Sequence, residues 1–146
     1  MMEDRYLFCA KRMDNGEWVE GFLFQLCYDS IFCWCIGNEP LSPNDYSELC
    51  GFNREWFYID ESTICQCTGL KDKNGKLIWE NDIMVAHLDD SFPEDATYTR
   101  VVWNNNGFCT KEQGSEDIMY LNKFDQEHFE VCGNIFDNPE LLEVEE

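Results

Sequence analysis

Residues 68–84 read Thr-Gly-Leu-Lys-Asp-Lys-Asn-Gly-Lys-Leu-Ile-Trp-Glu-Asn-Asp-Ile-Met, a pattern that predicts a β-hairpin followed by a tight turn. Asn74-Gly75 is typical of a type I′ turn, which needs a positive φ at both central positions. Apolar residues flank this turn, and Glu80-Asn81-Asp82 interrupts them. We expect a positive φ at Asn81, because Asn tolerates that conformation better than most residues. The stretch therefore predicts strand, hairpin, strand, turn, strand, as in a small, bent β-barrel.

The rest of the chain also favours strands, since 11 Phe, 6 Tyr and 5 Trp suit a sheet better than a helix. Asp14-Asn15-Gly16 and Asn104-Asn105-Asn106-Gly107 are further turn signals. We expect Gly133-Asn134 to break the last strand. Outside the hairpin, strands are predicted at Tyr6–Ala10, Glu17–Leu26, Ile31–Ile36, Trp56–Ile59, Tyr98–Trp103, Gly107–Thr110 and Phe129–Cys132.

Helical signals are few. Ser42 is suited to cap a helix at Pro43–Cys50, and Asn138-Pro139 would begin a final helical turn through Leu142. Ile118–Phe124 fits either a strand or a helical turn. The predicted fold is mainly β (β-rich α+β). It has an N-terminal subdomain, residues 1–62, with one short helix, and a C-terminal barrel subdomain, residues 63–146, in a single compact unit.

The charge of the chain is strongly negative. Ten basic against 30 acidic residues give −20, and residues 80–146 hold 17 of the acids with 3 bases. Such a balance argues against binding to nucleic-acid backbones or anionic membranes, where Lys and Arg supply the affinity. It fits a solvated, soluble surface, a basic partner, or an imitation of nucleic acid.

Charged residues near the start interrupt any signal-peptide core, and no apolar run reaches the roughly 18 residues of a membrane span. Nine cysteines are an odd number for a disulfide framework. We therefore expect reduced thiols and a cytoplasmic protein.

Two cysteine pairs are candidate metal ligands. Cys33/Cys35 and Cys65/Cys67 each place two thiols on one face of a strand, because side chains alternate. Four thiolates from two neighbouring strands would suit zinc. Structural zinc sites, however, commonly use two intervening residues at a turn, and Cys33 and Cys35 lie in an apolar run. Buried structural cysteines are the favoured interpretation.

Other candidate groups are dispersed. His87 and His128 lie far apart in sequence, and neither belongs to a paired motif. Glu80/Asp82 and Asp89/Asp90 are carboxylate pairs, and the loop Asp89–Asp95 holds four acids, but the spacing of a calcium-binding EF-hand is missing. No nucleophile elbow or phosphate-binding glycine loop is present. We expect no catalytic residue, no metal and no cofactor, and hence no enzyme.

The motif residues are similar to those of the YopX family of phage and prophage proteins. Its central signature stands here as Thr68-Gly69-Leu70, Asp72-Lys73-Asn74-Gly75 and Ile78-Trp79-Glu80-Asn81-Asp82-Ile83, with Asn81 where the family usually has Gly. The opening Arg5–Glu20, the approach Tyr58–Ser62, the later hairpin around Val101–Phe108 and the closing Phe129–Leu142 also resemble the family. Ile31–Phe52 is the least similar part.

The resemblance implies a β-rich fold whose C-terminal part is similar to an SH3-type barrel, and action in the bacterial cytoplasm. It supplies no activity. We expect a non-enzymatic accessory protein that binds an unknown host or phage protein, with no direct contact to nucleic acid or membrane. The sequence does not distinguish a monomer from a homo-oligomer. The alternatives are an acidic mimic of nucleic acid that inhibits a host DNA- or RNA-binding protein, and a small metal-binding protein or enzyme. A working surface is expected around Asp89–Asp95 and Glu112–Glu130.

Overall fold

The computed structural model describes residues 6–38, 55–87 and 96–143. Within them the chain is mainly β, and its antiparallel strands form two sheets. Contacts divide the chain into two compact units, Met1–Gln66 (unit 1) and Cys67–Glu146 (unit 2). The strand Cys65–Lys71 runs through this boundary, so each unit holds part of it. The division predicted between residues 62 and 63 would keep that strand whole, and it stays a prediction.

Unit 1 is an antiparallel sheet in the order β4-β3-β2-β1-β5. Gly16, with a φ of 72°, lies in the predicted turn between β1 and β2. Asp29 and Ser30 join β2 to β3 with φ values of 49° and 65°, the two positive angles of a type I′ turn. The strands are β1 (Phe8–Lys11), β2 (Trp18–Tyr28), β3 (Ile31–Gly37), β4 (Trp56–Tyr58) and the start of β5 (Cys65–Lys71).

The core of unit 1 centres on Ala10, Ile36 and Ile59, all buried. Strands β2 and β3 approach each other closely at Gly21, where a Cβ atom would lie 2.3 Å from the carbonyl oxygen of Gly37. Any larger side chain there would therefore force the two backbones apart. Partly buried side chains complete the core: Phe8, Val19, Leu23, Trp34 and Ile64.

Unit 2 begins with the predicted hairpin of β5 and β6 (Leu77–Trp79), and its pairing is interrupted by a bulge between Cys67 and Lys71. Gly69 lies in this bulge with a φ of 80°. Thr68 Oγ1 donates to the Ile78 carbonyl at 2.7 Å and accepts from the Leu70 amide at 3.1 Å. The side chain of Thr68 thus bridges the two strands where their ladder is irregular.

The turn of this hairpin differs from the prediction. Gly75 has a φ of 82°, whereas Asn74 is not among the residues with positive φ. The Gly75 amide donates to the Asp72 carbonyl at 3.0 Å, and the Asp72 amide donates to the Lys76 carbonyl at 2.8 Å. This is a longer loop in which only the glycine is left-handed, so the predicted type I′ turn at Asn74-Gly75 is wrong.

Side chains of the same stretch hold its turns together. The Asp72 carboxylate accepts from the amides of Asn74 and Lys76, both at 2.9 Å, and of Val131, at 2.8 Å. The Asp82 carboxylate accepts from the Trp79 amide at 2.8 Å. Asn81 has the expected positive φ, 71°. The Asp82 carboxylate and the left-handed Asn81 therefore shape the turn between β6 and the following strand.

The second sheet of the protein lies wholly in unit 2 and has the order β10-β9-β8-β7-β11. The core of unit 2 consists of Ile78, Met84, Ala86, Val101 and Phe129. Neither sheet closes on itself within the described residues, so the SH3-type barrel is not confirmed. The elements are β7 (Asp82–His87), β8 (Ala96–Asn104), β9 (Gly107–Glu112), β10 (Ile118–Tyr120), α1 (Lys123–His128), β11 (Glu130–Asn134) and a 3₁₀ turn (Pro139–Leu142).

The ambiguous segment Ile118–Phe124 contains both alternatives, because β10 ends at Tyr120 and α1 begins at Lys123. The break predicted at Gly133-Asn134 is wrong, since a bulge lets β11 continue to Asn134. The final helical turn is present, but Asn138 does not cap it with its side chain; that side chain accepts from the Asn134 amide at 3.2 Å. The predicted helix Pro43–Cys50 lies outside the described residues.

Candidate ligand-binding cavity and edge strand

Strand β10 is the outermost strand of the second sheet, and no described strand pairs with its outer edge. Just after it, the Leu121 amide donates to the Phe108 carbonyl at 3.0 Å. Because antiparallel backbone groups alternate in direction, the amides of Ile118 and Tyr120 point away from β9. The side chains of Ile118, Met119 and Tyr120 are 43%, 66% and 61% exposed. An apolar, open strand edge is therefore presented to solvent.

A cavity of about 560 Å³ lies in unit 2 on the face that carries the core. Register places its strand residues side by side: Thr99 opposite Glu112, and Thr110 opposite Met119. Met119 belongs both to the edge strand and to the cavity wall. The described residues that line it are Thr97, Thr99, Thr110, Glu112, Ser115, Asp117, Met119, Asn122, Phe124, Asp125 and Phe129.

Helix α1 and its cap form one wall of the cavity. Asn122 Oδ1 accepts from the Asp125 amide and Asp125 Oδ2 accepts from the Asn122 amide, both at 3.1 Å, which makes a reciprocal capping box. Phe124 stacks on His128 with ring centroids 4.1 Å apart. The capping box fixes the first turn of this short helix, and the helix holds Phe124 and Asp125 at the cavity.

One lining hydroxyl has no partner. Thr99 is only 5% exposed, and its Oγ1 atom is buried without a hydrogen bond to any described group. Thr110 Oγ1, by contrast, is 3.5 Å from the Met119 carbonyl, and Ser115 Oγ accepts from the Asp117 amide at 3.1 Å. Buried polar atoms are nearly always paired in folded proteins, so the Thr99 hydroxyl indicates a position that a ligand atom or a water would satisfy.

The charge of the cavity is negative. Glu112, Asp117 and Asp125 line it, and among the described residues of the lining there is no Lys, Arg or His. Burial raises the pKa of Asp125, and the hydrogen bond from the Asn122 amide opposes that shift only in part. A cation beside Asp125 would favour its charged form.

Unit 1 carries a separate apolar groove of about 530 Å³. Met13, Phe32 and Tyr58 are exposed there, and Asp60 and Glu61 border it. Its lining offers apolar contact surface. The remaining lining residues are Cys33, Trp34 and Ile59.

The two predicted cysteine pairs do not share a site. Cys33 and Cys35 lie on β3, which is separated from the Cys65 end of β5 by β2 and β1. Three strand spacings are about 14 Å, far beyond the reach of one zinc ion. The pKa of Cys35 is raised to about 12, mainly by burial and secondly by the neighbouring Cys33, so this thiol stays protonated. Across the described residues no group of three or more His, Cys, Asp or Glu is arranged to hold a metal.

The histidines end different elements, His87 at β7 and His128 at α1, and both are exposed. The acidic loop Asp89–Asp95 lies outside the described residues. Most of the cavity lining falls within Glu112–Glu130, the other region in which a working surface was predicted.

The threonines of the cavity were not among the residues predicted from the sequence. Thr97, Thr99 and Val101 alternate on one face of β8. Polar residues at two successive inward positions of a strand were the available signal, since a face that packs on a core is normally apolar throughout.

Comparison with known proteins gives one family. The family described as YopX protein matches residues 14–143. The crystal structure of protein EF1440 from Enterococcus faecalis is similar, with 26% sequence identity and a TM-score of 0.54, covering 93% of this chain and 96% of that chain. No curated protein matches. Among the described residues, no helix has the length and apolar character needed to cross a bilayer.

Proposed function

The chain belongs to the YopX family, and from this premise we propose that it is a phage or prophage accessory protein that binds another protein and has no catalytic activity. We place that action in the bacterial cytoplasm. Residues 63–146 would act as an SH3-like β unit that is left open at one edge.

The observation that carries the proposal is the open edge of β10. Three consecutive apolar side chains are exposed on it, and the amides of Ile118 and Tyr120 point outward. An exposed strand edge can pair with another chain, and many proteins bind extended segments by adding a strand to such an edge. A partner segment that pairs with β10 would accept hydrogen bonds from the outward amides of Ile118 and Tyr120 and cover the apolar side chains of the strand.

Charge narrows the class of partner. The chain carries −20, and the described lining of the cavity beside β10 contains three acids and no base. A basic partner would be attracted from a distance and oriented at this surface. The proposed partner is therefore a basic protein that offers an extended segment.

The proposal is tested by photo-crosslinking in cells of the source organism. A photoreactive phenylalanine replaces Tyr120 on β10. The same replacement of Tyr28, a tyrosine of unit 1 that is also exposed, is the control. A basic protein that crosslinks from position 120, and does so much less after Ile118→Pro, supports the proposal. Proline removes one outward amide at the first residue of an edge strand, where it is tolerated.

Crosslinking from position 28 alone would contradict the proposal, because it would place the interface in unit 1. The proposal would also be contradicted if the Ile118→Pro variant kept its fold and crosslinked from position 120 as strongly as before. In that case the outward backbone groups of β10 would play no part in binding.

A second candidate function is inhibition of a DNA- or RNA-binding protein by imitation of nucleic acid, favoured by the 17 acids among residues 80–146. Two of these acids, Asp82 and Asp125, are buried and accept backbone hydrogen bonds, so they add little to a charged surface. Competition separates the candidates: duplex DNA displaces the partner from a mimic, whereas binding through β10 persists beside DNA bound elsewhere on the partner.

A further inference from the structure

The cavity beside β10 has the chemistry of a receptor for a long cationic side chain. Met119 and Phe129 supply apolar wall, and the ring of Phe124 supplies an aromatic one. Apolar walls suit the methylene stem of Arg or Lys, and aromatic faces attract the cationic head. The carboxylates of Glu112 and Asp117 provide the opposite charge, and a cation beside the buried Asp125 would favour the charged form of that acid.

The buried hydroxyl of Thr99 is the second, independent observation. It is 95% buried at the cavity wall, and its oxygen has no described partner. A donor that reaches this wall from the cavity would satisfy it. Acidic residues on a surface are commonly solvated and bind nothing, but a buried and unpaired hydroxyl beside them calls for a ligand atom.

Spacing and shape favour a guanidinium over an ammonium. The acceptors are spread over different elements: Thr99 on β8, Glu112 on β9, Asp117 in the following loop and Asp125 on α1. Guanidinium offers five donors in a flat fork and stacks on aromatic rings, whereas ammonium is a compact and strongly hydrated charge. Several separated acceptors and an aromatic wall match the larger group.

We propose that the cavity binds the guanidinium of an arginine, carried by the same extended segment that pairs with β10. This inference rests on the proposed function, because it assigns the partner's side chain at that surface. Met119 connects the two features, since it belongs to β10 and also lines the cavity. The same chemistry would also admit a small free guanidinium compound, and the test separates these sources.

The test is an NMR titration of the full-length, ¹⁵N-labelled protein with acetyl-Val-Arg-Val-amide. The matched control peptide carries citrulline, which has the same shape as arginine without its charge. We expect saturable shifts at the amides of residues 97–99, 110–117 and 122–125 with the arginine peptide and none with the citrulline peptide. A third peptide, in which lysine replaces the arginine, is expected to bind several-fold more weakly than the arginine peptide.

Two substitutions assign the site. Asp117→Asn and Thr99→Val are each expected to weaken binding of the arginine peptide, Asp117→Asn by roughly tenfold, which corresponds to about 1.4 kcal/mol. Glu140→Gln, which changes the charge equally at an exposed position of unit 2 outside the cavity, is expected to leave affinity unchanged.

Equal binding of the citrulline and arginine peptides overturns the inference, and so does the absence of saturable shifts at the cavity. If agmatine, a free guanidinium compound, binds as tightly as the peptide, the proposed source is overturned in favour of a small molecule. Crosslinking through β10 together with failure of the arginine titration removes this inference and leaves the proposed function standing. Arginine binding without any crosslinked protein counts against the proposed function and leaves only the specificity of the cavity for a guanidinium group.

Discussion

At the scale of single residues, two buried threonines have the same exposure and opposite surroundings. Thr63 and Thr99 are each 5% exposed. Thr63 Oγ1 donates to the Asp60 carbonyl at 2.7 Å and accepts from the Lys11 amide at 2.8 Å, whereas Thr99 Oγ1 has no described partner. One hydroxyl therefore supports the fold, and the other is positioned for something outside it.

This contrast predicts opposite effects of the same substitution. Thr63→Val removes the side-chain acceptor of the Lys11 amide and is expected to lower the free energy of unfolding by about 1–3 kcal/mol. Thr99→Val removes an unpaired hydroxyl and is expected to leave that free energy unchanged or raise it. Urea unfolding, followed by tryptophan fluorescence, measures both. A loss at Thr99 as large as the loss at Thr63 would show that the Thr99 hydroxyl has a structural partner.

Asn81 isolates the cost of a left-handed backbone. Its φ is 71°, and its side chain accepts from the Arg100 guanidinium at 3.0 Å. Asn81→Gly and Asn81→Ala both lose that hydrogen bond, but only glycine adopts the positive φ freely. The glycine variant is expected to be more stable than the alanine variant by about 1–2 kcal/mol. Equal stabilities in urea unfolding would mean that the turn changes its conformation at little cost.

At the scale of elements, the sequence located the strands well because their apolar residues and turn signals are local. Every strand predicted within the described residues has a counterpart in the structure. Turn geometry was harder to predict. Asn74-Gly75 suggested a type I′ turn that is absent, while Asp29-Ser30, with a weaker signal, forms one. The difference arises because the Asp72 carboxylate binds the amides of Asn74 and Lys76 and favours the longer loop.

Helix α1 and the cavity could be predicted only in part. The helix has six residues, which is too short for a helical repeat to be recognised, and its capping box of Asn122 and Asp125 was the usable signal. The cavity depends on register between β8, β9 and β10, which no local pattern specifies. The sequence indicated the acidic region Glu112–Glu130 but not the threonines opposite it.

The capping carboxylate of α1 gives a prediction of pH dependence. Burial raises the pKa of Asp125 above that of the unfolded chain, about 3.9 for an ordinary Asp. The native state therefore holds this proton more tightly, so the contribution to stability is full below the unfolded pKa and is lost as pH rises through the folded pKa.

Asp125→Asn has no proton to lose and keeps an oxygen that accepts from the Asn122 amide. Compared with the unsubstituted protein, it is expected to become relatively more stable as pH rises from acid to neutral, measured by urea unfolding at each pH. Glu140→Gln controls for the change in charge. Relative stability that falls with rising pH would mean that the Asp125 carboxylate is better compensated in the native state than in the unfolded chain.

At the scale of the whole molecule, the protein carries a charge of −20. Added salt is therefore expected to change the stability of the fold and the affinity for a basic partner in opposite directions. Salt screens repulsion between the acids, so the free energy of unfolding is expected to rise with sodium chloride. The same screening is expected to weaken binding of the arginine peptide. Stability and affinity that both fell with salt would indicate that attraction between opposite charges, rather than repulsion, dominates the native protein.

The central claim is that a basic segment extends the sheet at β10. Amide hydrogen exchange of the full-length protein, with and without the crosslinked partner, tests it most directly. We predict that the outward amides of Ile118 and Tyr120 become strongly protected in the complex, while the Met119 amide, which points toward β9, changes little. Unchanged exchange at Ile118 and Tyr120 in a saturated complex, with protection elsewhere, would contradict the claim.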